Sequence, residues 1–186
     1  GILANSDGGD VLIEDFAYVW GGEDEGIQAD SDGGAITITN ISSVVSVYDD
    51  AIFADSQIST EVTNEQGEEY DVFSGGGDIT IQDIAIPEFD DGNGNMIRST
   101  NGIDARSGTG KITIDGNTSD AEPLTRSILA DGFPIYATST EGEIVIEDFV
   151  NLWSGSSKVV VADSESGSIT IQNDAVTEFD DDGDPE

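Results

Sequence analysis

The chain has 186 residues, enough for one domain with a sizeable core. Its 40 Asp and Glu against 5 Lys and Arg give a formal net charge of -35, which excludes binding to nucleic acid or anionic membranes, since both need Lys and Arg clusters. There is neither Cys nor His, so disulfides, thiolate metal sites and the usual general base are all missing.

No stretch approaches the roughly 18 apolar residues of a membrane span, so membrane insertion is not expected, and no signal peptide is evident. The hydrophobic fraction of 36% is low but concentrated in short alternating runs, the pattern of half-buried strands rather than of disorder. The acids must be solvated, screened by salt or bridged by cations, and both a salty habitat and a calcium-rich exterior fit. Beginning at Gly1 without Met, the chain reads as a processed form or a piece of something longer, and an extracellular or cell-surface location is expected.

In chain order, one unit recurs: a Gly, one variable residue and an aliphatic triplet. It ends successively at Ile13, Ile38, Ile81, Ile114, Ile146 and Ile171, separated by 25, 43, 33, 32 and 25 residues. An Ala-x-Ser echo precedes each unit, as in Ala4-Asn5-Ser6, Ala29-Asp30-Ser31 and Ala162-Asp163-Ser164. Residues 10–40 lie on 143–173 at a constant offset of 133, and 77–91 on 167–181 at an offset of 90. Repetition at this period signals a solenoid.

Coil one spans about 1–25, with Val11, Ile13, Phe16 and Val19 expected to point inward and Trp20 closing it. Coil two, 26–50, is the shortest, with a third strand expected over 44–48. Coil three begins at 51 and is interrupted by a polar insertion over 57–76, expected to form a hairpin or loop over one face. Coil four, about 96–127, carries Arg98, Arg106, Lys111 and Arg126. Coil five, 128–158, adds a second strand pair over 133–136 and repeats coil one, while coil six, 159–186, repeats coil two. No window shows apolar spacing of three and four, so the chain is all-β.

Short alternating strands with Gly/Asp turns fit a parallel β-helix solenoid of about six coils, each coil laying its strands about 4.8 Å from the next. Isoleucines of the triplets then form an inner ladder and the threonines between them an outer one. An antiparallel sandwich is the competing all-β arrangement, but it gives no reason for one motif to recur in register.

The motif carried by Gly26-Ile27, Ala29-Asp30-Ser31, Gly34 and Ile36-Thr37-Ile38 resembles the passenger repeats of autotransporter and filamentous-haemagglutinin-type surface proteins. The resemblance covers nearly the whole chain apart from 57–76. It implies a secreted, right-handed β-helix that serves as an adhesin or fibre, and it transfers no catalytic residue.

Two acidic turns are candidate cation sites. Asp90, Asp91, Asn93 and Asn95 surround glycines in one, and Asp180, Asp181, Asp182 and Asp184 in the other. Clustered oxygen ligands on tight turns suit Ca²⁺, although neither turn has the complete EF-hand loop, and solvated acidic turns are the alternative. Asn40 and Asn117 head glycosylation sequons. A polysaccharide-degrading β-helix would need an Arg or Lys base beside a cation, or paired carboxylates; Arg98, Arg106 and Lys111 on one coil are the only candidates, and no enzyme activity is expected. Trp20 and Trp153 occupy equivalent places and either stack on sugars, cover a core edge or sit between molecules.

Neither end carries an evident polar cap, and an uncapped solenoid presents unpaired backbone and an open apolar end. Gly1, Ile2, Leu3 and Ala4 form the kind of strand that should follow the last coil, around Phe179 and Pro185. The chain is therefore expected to bind copies of itself head to tail as a filament subunit. The alternative is a segment of a large secreted adhesin that binds glycans or host surfaces.

Overall fold

The computed structural model describes residues 1–63, 66–90, 92–116, 127–149, 151–156 and 158–172. The repeats build a parallel β-helix. Its first wall is a sheet of six parallel strands, β1 (Ile2–Ser6), β4 (Ile27–Ser31), β7 (Ile52–Asp55), β13 (Ile103–Ser107), β16 (Ile135–Ser139) and β19 (Val160–Ser164). Its second wall is another six, β2 (Val11–Phe16), β5 (Ile36–Ile41), β10 (Ile79–Ile84), β14 (Ile112–Asp115), β17 (Ile144–Glu147) and β20 (Ile169–Gln172). A less regular third wall pairs β3 (Val19–Gly21) with β6 (Val44–Ser46) and β15 (Ser127–Ala130) with β18 (Asn151–Ser154). Isolated bridges from Ile86 to Ile128 and from Ser99 to Ala130 carry coil three onto coil four.

Strand pairing follows the repeat residue by residue. Ile36 pairs with Val11 and with Ile79, Ile112 with Ile79 and Ile144, and Ile144 with Ile169. Alternation buries Ile36, Ile79, Ile112 and Ile144 in the core with the isoleucines two residues on, while Thr37, Thr80 and Thr113 stand outside. Parallel in-register pairing of this kind rules out the antiparallel sandwich.

Two corners explain sequence features that alternation leaves unexplained. Between the first and second walls, Ser31, Ser107, Ser139 and Ser164 each accept the amide N–H of the glycine three residues on, at 3.0, 3.0, 2.8 and 2.9 Å. Those glycines stack so closely that a Cβ on Gly34 would stand 2.3 Å from the Gly9 carbonyl oxygen, and one on Gly142 1.8 Å from that of Gly110. After the second wall, Asp15, Asn40, Asp83 and Asp148 all turn the chain in the left-handed region, with φ of 64°, 55°, 58° and 62°. Asp and Asn tolerate that conformation because their short polar side chains bond locally. Here Asn40 donates to the Asp15 carboxylate in the coil below.

The insertion over 57–76 contains an antiparallel hairpin, β8 (Ile58–Thr63) with β9 (Glu69–Ser74). Several boundaries differ from the sequence reading. Residues 96–97 do not open coil four; they are β12 (Met96–Ile97), which pairs antiparallel with β11 (Phe89–Asp90) as a small hairpin. Residues 127–130 are the third-wall strand of coil four, and coil five enters the first wall at Ile135. The third strand of coil two stops at Ser46, leaving Tyr48 exposed. Phe16 is 42% exposed although it pairs with buried Ile41 at an inward position, because the first coil has no coil below to cover it.

Candidate functional site

The acidic turn at Asp90 is the tip of the β11–β12 hairpin. Gly92 and Gly94 take φ of 80° and 87°, and their N–H groups donate to Asp90 Oδ1 at 2.8 and 3.3 Å. One carboxylate oxygen thus serves the turn's own backbone. Asn93 and Asn95 are exposed on the same tip. Asp91 of this turn lies outside the described residues, as do Asp180, Asp181, Asp182 and Asp184 of the second turn. Among the described residues, no group of three or more acidic side chains is arranged to hold a metal ion.

The three described bases of coil four do not converge, and the fourth, Arg126, lies outside the described residues. Arg98 follows β12, forms an ion pair with Glu88, and lays its guanidinium 4.1 Å from the Trp153 ring centre. Arg106 stands on the outer face of the first wall and forks onto Asp104, with Nε–Oδ1 of 3.0 Å and Nη2–Oδ2 of 2.6 Å. Lys111 sits at the start of the second wall, 3.1 Å from Glu143. Each is taken by a carboxylate of its own, which leaves no shared cationic patch among the described residues.

Acids are stacked in a column on the first wall, where Asn5, Asp30, Asp55, Arg106, Thr138 and Asp163 are register partners in turn. Burial pushes the Asp30 and Asp55 carboxyls above the usual range. For Asp55 the Gln57 amide and Arg106 oppose that shift, and Asp30 and Asp104 add to it. Asp50, buried at the corner after the third wall, is raised by burial against the Asn101 hydrogen bond, with Asp104, Asp49 and Glu25 adding repulsion. Burial is the larger part of the cost of carrying these charges, and salt relieves only the repulsion between the acids.

Trp20 and Trp153 both stand outward on the third wall. Trp20 stacks with Tyr18 at 6.3 Å and meets Phe89 edge-on at 4.7 Å. Asn40 is exposed at its left-handed corner, and Asn117 lies outside the described residues. A cleft of about 430 Å³ opens on the first wall beside Gln57, Thr138, Asp163 and Glu165.

The ends complete the picture. Ile2 and Ala4 face the core and are half-buried, while Leu3 points out at 66% exposure; Gly1 precedes them. In the last described coil Ile169 and Ile171 are 43% and 58% exposed, whereas their ladder partners Ile144 and Ile146 are at 0% and 2%. Phe179 and Pro185 lie outside the described residues. The serine-and-glycine corner is the functional feature that residue-by-residue reading missed; the Ala-x-Ser echo with Gly three residues on was its signal.

These features define a parallel β-helix solenoid. Compared with known proteins, the chain matches no protein-family model, no curated protein and no solved structure.

Proposed function

We propose that the chain is a structural subunit of an extracellular filament or surface fibre, assembled by head-to-tail stacking of β-helices, with the N-terminal strand completing a neighbour's last coil. The observation that carries this reading is the exposure of Ile169 and Ile171 in the last described coil, core residues by register whose partners Ile144 and Ile146 are buried. An exposed apolar coil with unpaired backbone is a template for another coil. The two ends are different surfaces, so their contact is heterologous and generates an open polymer. Calcium bound at the Asp90 turn would lower the net negative charge through which copies repel one another.

Negative-stain electron microscopy and sedimentation of the native protein, with and without a calcium chelator, test the reading. Filaments are expected, shortened on chelation if the turns hold cations. Compact monomers under both conditions overturn it. A second reading, a β-helical segment of a secreted adhesin, is favoured by the exposed, mutually stacked rings of Tyr18 and Trp20, which suit stacking on neutral sugars. Glycan binding by monomers that never polymerise would favour it.

A further inference from the structure

We propose that successive copies join in one fixed register, β1 on β19 and β2 on β20, and that Gly9 is the residue that admits the join. This rests on the head-to-tail reading above and specifies its interface. Three periodic contacts leave complementary groups on the first and last described coils.

The first is the backbone ladder. In the first wall Ile2, Ile27, Ile52, Ile103 and Ile135 each donate their N–H to the next coil, to the carbonyls of Gly26, Ala51, Gly102, Pro134 and Val159. The next donor is Val160, and the equivalent acceptor is the Gly1 carbonyl of another copy. In the second wall Val11, Ile36, Ile79, Ile112 and Ile144 donate to Ala35, Asp78, Lys111, Glu143 and Ser168. Ile169 then takes the Asp10 carbonyl.

The second is the serine corner. Ser31, Ser107 and Ser164 donate to the glycine carbonyl of the preceding coil, at Gly9, Gly77 and Gly142, over 2.9, 3.1 and 3.2 Å. Ser6 has the same place in coil one, and Gly167 of a neighbour supplies the matching carbonyl.

The third is steric and most telling. A Cβ on Gly34, Gly77, Gly110, Gly142 or Gly167 would come within 2.4 Å of a glycine of the preceding coil. At Gly9 it would meet only the hydroxyl of its own Ser6, at 2.9 Å. Within the described chain an alanine there asks only that the Ser6 hydroxyl, which accepts the Gly9 N–H, turn aside. A preceding coil demands glycine, and in the proposed register that coil is another copy's Gly167 corner. Outside, the join sets Leu3 beside Val161, apolar on apolar, and uncharged Asn5 beside Asp163 where a carboxylate would repel.

The test uses the full chain in three forms. Gly9→Ala should keep the circular-dichroism spectrum and melting midpoint of the parent while raising the concentration needed for polymer at least tenfold. Gly22→Ala, where a Cβ meets nothing within 4 Å, is the control and should polymerise like the parent. Cysteines are introduced pairwise into this cysteine-free chain. Leu3→Cys with Val161→Cys places sulfurs on neighbouring in-register strands about 4.8 Å apart and should oxidise to a ladder of covalent multimers. Leu3→Cys with Asp163→Cys is two residues out of register, about 8 Å between Cα atoms, and should not. If the parent forms no polymer, both the filament reading and the register fail. If it polymerises, but Gly9→Ala has no effect and the out-of-register pair cross-links instead, the register fails while head-to-tail stacking stands.

Discussion

Along the column Ile13, Ile38, Ile81, Ile114, Ile146 and Ile171, chemistry is constant and only coverage changes, so truncation should cost according to position. Ile114 is fully buried between Ile81 and Ile146. Ile114→Ala removes three carbons, about 2.4 kcal/mol of transfer free energy at about 0.8 kcal/mol each. The cavity left between two rigid coils adds to that, for a total of about 3 to 4 kcal/mol. Ile171 is 58% exposed, so roughly four-tenths of that transfer term applies and no closed cavity forms, giving about 1 kcal/mol. Urea unfolding of the two variants, followed by Trp20 and Trp153 fluorescence below the concentration at which polymers form, gives both numbers. Equal losses would refute the idea that the last described coil is uncovered in the single subunit. Repeated in assembled material, the Ile171→Ala loss should rise toward that of Ile114→Ala.

Other substitutions probe the corners and the charge. Gly34→Ala drives a methyl to 2.3 Å from the Gly9 carbonyl oxygen and should cost about 2 to 3 kcal/mol in thermal or urea unfolding, against less than about 0.5 kcal/mol for Gly22→Ala. Ser139→Ala strips the partner from the buried Gly142 N–H and should cost about 1 to 3 kcal/mol, with faster amide exchange at Gly142 read by NMR. The Asp50 carboxyl is raised in the folded state, so that state holds its proton more tightly than the unfolded chain. Stability from this group is therefore full below the unfolded value near 3.9, is lost as pH rises through the folded value, and stays lost above it. The contribution of Asp50 to the melting midpoint should rise as pH is lowered from neutral through the raised folded-state value, and Asp50→Asn should raise the midpoint at neutral pH and flatten the profile; a variant whose pH profile matches the parent's refutes this.

The inner ladder was legible because a β-helix writes its core as one repeated pattern: the triplets ending at Ile38 and Ile81 lie 43 residues apart yet pair in register. The hairpin inside 57–76 was legible as a break in that pattern. The third wall was legible only in part: the strand expected over 44–48 is there as Val44–Ser46, and Trp20 and Trp153 align at the repeat offset, but Val19–Gly21, Ser127–Ala130 and Asn151–Ser154 are short and share no complete motif. That is why residues 127–130 read as the start of coil five. Composition placed Arg98, Arg106 and Lys111 on one coil, but a coil has three outward faces and each base took a different one. Arg106 sits beside Asp55 as the register requires, yet forks onto Asp104 of its own strand, a choice of rotamer that no repeat encodes. At the ends, burial depends on what covers a coil, so Phe16 and Ile171 looked like core and are exposed.

The most direct measurement is helical reconstruction by cryo-electron microscopy of the native protein at moderate salt. Six coils per subunit at about 4.8 Å each predict an axial rise of about 29 Å, with the strand ladder running through the join without a gap and β1 seated on β19. Particles that remain single rods, or that pair end to end about a two-fold axis and close, would contradict a filament built by coil-on-coil addition.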